Sequence, residues 1–295
     1  MKVNYTKPNS FFQQYKALAK KEIKIQLRYP IAFISQFIQI FLIILVFTFT
    51  AKVFINPESS TNSEHVLTAS TLSTYMLFGL MAFLFFSDAL YALGMSLRQE
   101  QTTGTLETIF LYPMNYLANL LAKITWSTFI NIVLTFFGFI TLNYLTGTVE
   151  LAFPEFLYGL VIFIFYLLQV YGFSFFLAGL SLKLKESIEP IVNFSQFLFL
   201  ILSAFFFPFS TLGPIVIISF FIPFSYAIDL MRTTVFGTNP ELASILSKSI
   251  GYLNELIILE WLIVLFFMIL LPILGYKYFK RTVDQGRFSG TLSDY

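Results

Sequence analysis

Six stretches of this chain are apolar for about the length of a bilayer crossing, and that property limits what it can fold into. They fall near residues 31–53, 73–95, 126–145, 156–182, 191–207 and 256–276. A helix needs about 20 apolar residues to cross roughly 30 Å of hydrocarbon, and inside lipid the backbone must satisfy its own hydrogen bonds. The expectation is an all-α polytopic membrane protein with six transmembrane helices, a single membrane domain over residues 1–295. Charged residues are 12% of the chain, where a soluble domain carries about 25%. The polar surface of a water-soluble fold is missing.

A further apolar stretch, 213–231, is interrupted by Pro214 and Pro223. Broken backbone at membrane depth has to be buried in protein, so the stretch fits a re-entrant helix pair over 208–232, before the last span, better than a crossing. The basic residues agree. With six spans, fifteen of the 18 Lys and Arg residues fall on one side, and only Lys52, Arg232 and Lys248 on the other. By the positive-inside rule both termini are cytoplasmic and the chain is a multi-pass protein of the cytoplasmic membrane. A seventh crossing would move the basic tail outside. The first 30 residues lack the apolar core and small-residue cleavage site of a signal peptide, so Met1 onward is expected to remain in the mature chain.

Residues 8–29 read as an amphipathic interface helix. At 100° per residue, Phe11, Phe12, Tyr15, Leu18, Ala19, Ile23 and Leu27 share one half of the wheel. Lys16, Lys20, Lys24 and Arg28 form an i, i+4 stripe beside them, with Lys21 adjoining. This is the pattern of a helix in the headgroup plane, its basic face toward anionic lipid. An N-terminal anchor with no more specific role would look the same. Pro30 then permits a sharp turn into the first span.

Little points to catalysis. With no cysteine and one histidine, His65, the usual zinc site has no ligand set. His65 reads as a solvated loop residue near Glu58 and Glu64. No Gly-x-Ser-x-Gly elbow and no phosphate-binding Gly-x-x-x-x-Gly-Lys-Ser/Thr loop occurs, so the chain is not expected to hydrolyse ATP itself. A net charge of +2 gives nucleic acid no electrostatic footing. Charges inside spans are costly and mark functional candidates: Asp88 in the second span and Glu260 in the sixth, with Glu255 nearer the interface. Both fit either helix packing or a transport pathway. The amides Gln36, Gln39, Asn131, Gln169, Asn193 and Gln196 fit interhelical hydrogen bonding.

The loop after the second span, 99–113, is the most informative. Thr103 can cap a new helix, Glu107 falls in its first turn where the helix dipole favours an anion, and Pro113 stops it. The result is a short helix with Leu106, Ile109 and Phe110 clustered on one side. Richer in acid than base, it suits docking on a protein rather than on anionic lipid.

The run Glu100-x-x-x-Gly104-Thr105-Leu106-Glu107 followed by Pro113 resembles the coupling-helix signature of ABC type-2 exporter permeases. The segment from Ile222 through Pro223, Tyr226 and Asp229 to Arg232 is similar to that family's proline–tyrosine–arginine segment before the last span. Phe207-Pro208, and the tail Tyr278-Phe279-Lys280-Arg281 with Gly286 and Gly290, fit the same order. Leu212-Gly213-Pro214 departs from it, where a firmer proline pair is expected. The resemblance implies a transport subunit without its own engine. Two copies, or one copy and a homologue, would enclose a pathway and rest on a separate cytoplasmic ATP-binding subunit. Glu100, Gly104, Thr105, Leu106, Glu107 and Pro113 would form the coupling contact, with the N-terminal helix also resting on the ATP-binding subunit. Pro223, Tyr226 and Arg232 would belong to an outer gate. ATP and magnesium would be held by the partner, leaving this chain with no cofactor and no enzymatic activity. The abundance of phenylalanine, 39 residues, suits an amphipathic small molecule, a lipid or a glycan as cargo, and equally suits packing against lipid. The alternatives are a stand-alone ion-coupled carrier or channel using Asp88 and Glu260, and a lipid-modifying enzyme, which would need a catalytic pair.

Overall fold

A computed structural model describes residues 10–28, 30–54, 69–104, 115–146, 153–184 and 187–289. Among them every regular element is a helix: α1 (Phe11–Leu27), α2 (Pro30–Phe54), α3 (Ala69–Thr102), α4 (Tyr116–Thr146), α5 (Phe153–Leu184) and α6 (Ile188–Leu202). A 3-10 turn over Phe209–Ile215 leads into a single turn, α7 (Val216–Ser219), then α8 (Pro223–Phe236), α9 (Glu241–Ile250) and α10 (Leu253–Ser289). Among the described residues four helical segments are long and apolar enough to cross a membrane: Phe78–Thr102, Tyr116–Gly138, Leu157–Leu184 and Leu253–Gly286. They match four of the six expected spans, and α2 closely matches the bounds of a fifth.

The remaining expected span, 191–207, is shorter than the sequence suggests. Helix α6 has 15 residues, about 22 Å of rise against roughly 30 Å of hydrocarbon. It stops because Ala204 turns into the left-handed region at φ 49°, and the carbonyls that follow are taken by other helices. Beyond it the chain does form broken helices over 208–232. The break at Pro223 falls where expected, with the proline at the first position of α8, where its missing N–H costs nothing. Helix α9 was not anticipated.

Helix α5 is the axis of the bundle, packing against α10, α3 and α8, while α4 packs on α3 and on α1. Close approach of α5 and α10 depends on glycine. A Cβ on Gly172 would run into the backbone at Leu271 and Pro272, and one on Gly275 into the Gly172 carbonyl. In a membrane, where lipid is as apolar as a helix, such small-residue contact replaces hydrophobic collapse as the packing force. The interior is filled by rings. Phe86, Phe173, Phe199 and Phe224 meet edge-on at 5.3–5.8 Å between centroids. Outward faces are apolar, as with Ile258, Leu262, Phe266 and Ile269 on α10.

Candidate functional site

Two polar constellations lie at opposite ends of the bundle. Tyr75 and Glu100 mark them on α3, about 37 Å apart by helix rise.

The first gathers around Arg232 on α8. The Arg232 side chain is 3% exposed, and its Nη2 donates to the carbonyls of Ala204 at 2.5 Å and Phe205 at 2.9 Å. Its guanidinium lies over the Tyr75 ring at 4.1 Å, with Phe209 at 5.7 Å. Ser219 donates to the Leu202 carbonyl at 2.5 Å. The unsatisfied carbonyls at the end of α6 are therefore matched by side chains from α7 and α8. Gly79 on α3 makes room for this, since a Cβ there would fall inside the Phe205 carbonyl.

Asp229, one turn before Arg232, points at the start of α9. Its carboxylate accepts the N–H groups of Glu241 at 3.0 Å and Leu242 at 2.6 Å. This caps a helix whose own preceding residue, Pro240, has no side-chain acceptor. Glu260 on α10 turns its carboxylate toward the Ala243 N–H in the same turn, although neither oxygen reaches hydrogen-bonding geometry. Glu241 reaches back across the gap. It accepts the Phe209 N–H at 2.5 Å and the Ser210 hydroxyl at 3.5 Å. Tyr226 donates to the Phe220 carbonyl at 2.7 Å, closing the break between α7 and α8. The cluster thus ties α3, α6, α8, α9 and α10 together around a buried cation and three acids.

Of the residues singled out by sequence, Pro223, Tyr226, Arg232 and Glu260 come together here. Tyr75, Phe209, Asp229 and Glu241 are site residues that the sequence reading missed. Asp229 was legible, because Tyr226, Asp229 and Arg232 are spaced i, i+3, i+6 on one helical face. Tyr75 carried no such signal.

Asp88 stands elsewhere. It accepts a 2.7 Å hydrogen bond from Asn131 Nδ2, joining α3 to α4. Gln169 donates to the Val264 carbonyl and Gln196 to the Ser87 carbonyl. All three amides stitch helices together.

The second constellation lies at the far end of α3. The expected loop begins later than the sequence implies, because α3 continues through Glu100 to Thr102. Gly104 follows at φ 68° and donates its N–H to the Gln101 carbonyl, a left-handed helix stop. The Thr103 hydroxyl bonds back to the Glu100 carbonyl. Glu100, 8% exposed, pairs with Lys123 on α4 at 2.5 Å. Thr105, Leu106, Glu107 and Pro113, and with them the short helix expected after Thr103, lie outside the described residues, as does His65. Helix α1 docks beside the pair. Gln14 accepts the Asn115 N–H at 2.8 Å, and Tyr15 shares a 2.9 Å hydrogen bond with Thr125. Tyr15, Leu18, Ala19 and Ile23, of the expected apolar half, are at least half-covered in the packed face of α1, whereas Phe11, Phe12, Leu27, Lys16, Lys20, Lys24 and Arg28 stay exposed.

A family model described as ABC-2 type transporter matches residues 13–236, from α1 through α8. No curated protein matches the chain.

Proposed function

The chain belongs to the ABC-2 type transporter family, and on that premise we propose that it is the permease subunit of an ATP-driven exporter of the cytoplasmic membrane. A multi-pass helical permease of this family is a transmembrane subunit. The finer reading is that a separate cytoplasmic subunit holds ATP and magnesium, that both termini of this chain are cytoplasmic, and that two permease subunits enclose the path. The observation that carries the reading is the family match across 13–236, which includes Glu100, Lys123, Asp229 and Arg232.

The geometry supports a division of labour. The end with Glu100 and Lys123 carries the coupling contact through Gly104 to Glu107 and Pro113, beside α1 in the lipid headgroups. The end with Arg232 is the outer gate. Passage runs between subunits, because the interior of one copy is filled by Phe86, Phe205, Phe209, Phe224 and Tyr166. Cargo is an amphipathic small molecule, lipid or glycan meeting the apolar outer faces. Asp88 and Glu260 do not form one line of titratable groups: the first is held by Asn131 and the second faces α9. The arrangement favours packing and gating over a carrier's proton relay.

The test is a pull-down of the tagged chain in mild detergent, with ATPase activity assayed on what co-purifies. A stoichiometric ATPase lost on Glu107→Arg, with the chain still inserted, is the expected result. A chain that purifies alone in several detergents would overturn the reading.

A further inference from the structure

Helix α1 presents an exposed basic face among the described residues. It carries Lys16, Lys20, Lys21 and Lys24, with Arg28 directly after it, against a single acid, Glu22, which sits 3.8 Å from Lys21. With 3.6 residues per turn, Phe12, Lys16, Lys20, Lys24, Leu27 and Arg28 fall on one side, and all six are exposed. Phe12 is 67% and Leu27 63% exposed. Two exposed apolar groups within a row of cations match the boundary between headgroup and acyl chain, where the apolar groups enter and the long basic side chains reach up to phosphate. Position agrees, because α1 ends at Leu27 and the apolar α2 begins at Pro30. The end of α1 therefore cannot leave the membrane surface.

The opposite side of α1 is fixed to α4 at two points, Gln14 to Asn115 and Tyr15 to Thr125, which bracket Lys123. Lys123 in turn holds Glu100 on α3. We propose that α1 senses anionic phospholipid: headgroup phosphates on Lys16, Lys20, Lys24 and Arg28 set how α1 sits on α4, and through it the Glu100–Lys123 pair. Membrane surface charge then regulates coupling to the ATPase. The regulatory half rests on the permease reading; the binding half does not.

The two halves are tested separately. For binding, the full chain carrying Ala17→Cys, labelled with an environment-sensitive fluorophore, is reconstituted in vesicles of phosphatidylcholine alone or mixed two to one with phosphatidylglycerol. Ala17 is exposed beside the stripe. The emission should shift to the blue with phosphatidylglycerol and revert in high salt. Replacing Lys16, Lys20, Lys24 and Arg28 together by Gln should abolish the response, each cation contributing on the order of fivefold in surface affinity. Emission that ignores phosphatidylglycerol, or responds only when a co-purified acidic protein is added, overturns the proposal. For regulation, ATPase activity of the complex should rise with phosphatidylglycerol. The double substitution Gln14→Ala, Tyr15→Phe should keep the fluorescence response and lose that rise. A fluorescence response with an ATPase indifferent to lipid would reject the regulatory half alone. A response with no ATPase in the preparation would count against the permease reading instead.

Discussion

Arg232 is the residue that holds the proposed gate end together. Its guanidinium matches two carbonyls that the end of α6 leaves without helical partners, and it covers the Tyr75 ring. Arg232→Met should destabilise the chain by about 1–3 kcal/mol for each buried acceptor left unmatched, read as a lowered thermal midpoint in detergent. Arg232→Lys should recover only part, since an ammonium can donate to both carbonyls, as the single Nη2 does, but cannot lay a plane over the Tyr75 ring. Asp229 gives a finer test. Asp229→Ala removes the cap of α9 and should cost about 1–2 kcal/mol, whereas Asp229→Asn, which keeps one acceptor but turns an NH2 toward the second N–H, should recover only part of that. If the two variants melt together, capping is not what Asp229 does. Arg232 and Tyr226 were legible in the sequence as family motif residues. Glu241 and Tyr75 were not, because their roles come from helices brought together only by the fold: Glu241 opens a helix whose existence the sequence reading missed, and Tyr75 looks like any aromatic near a span end.

Among the elements, the sequence located helices well wherever apolar runs were long. It misjudged the places where polar residues continue a helix or apolar ones fail to. Helix α3 runs past its apolar window because Arg98, Glu100 and Gln101 remain helical, and the Glu100–Lys123 pair joins its end to α4. Helix α6 stops early where Ala204 turns left-handed, and side chains from α7 and α8 take the carbonyls at its end. The Glu100–Lys123 pair predicts that Glu100→Lys alone uncouples ATPase activity from transport motion, and that adding Lys123→Glu restores a large part of it. Failure of the swap to rescue would mean that the pair acts by something other than mutual charge. The α5–α10 contact makes a steric prediction. Gly172→Leu should abolish a monodisperse, folded peak in detergent chromatography, since its side chain would meet backbone at Leu271 and Pro272 rather than a flexible group. Normal elution would show that the helices do not approach so closely.

In the whole molecule, the permease reading has ATP hydrolysis on a partner at the Glu100 end move the Arg232 end, about 37 Å away along α3. A rigid helix packed against α5 and α4 gives that motion a physical carrier, and a filled interior leaves the Arg232 end, the proposed gate, as the part that would open. The chain contains no cysteine, so a single introduced thiol reports cleanly. Ser203 is fully buried next to the carbonyls that Arg232 holds, and its hydroxyl has no hydrogen-bond partner, which makes Ser203→Cys a mild change. The decisive measurement is the labelling rate of that thiol in the complex with its ATPase, with and without ATP and magnesium. Labelling that is slow at rest, accelerates on ATP addition and stays slow when Glu107→Arg is also present is the predicted result. A rate indifferent to ATP while the partner is turning over would contradict the claim that this chain relays the stroke to a gate at Arg232.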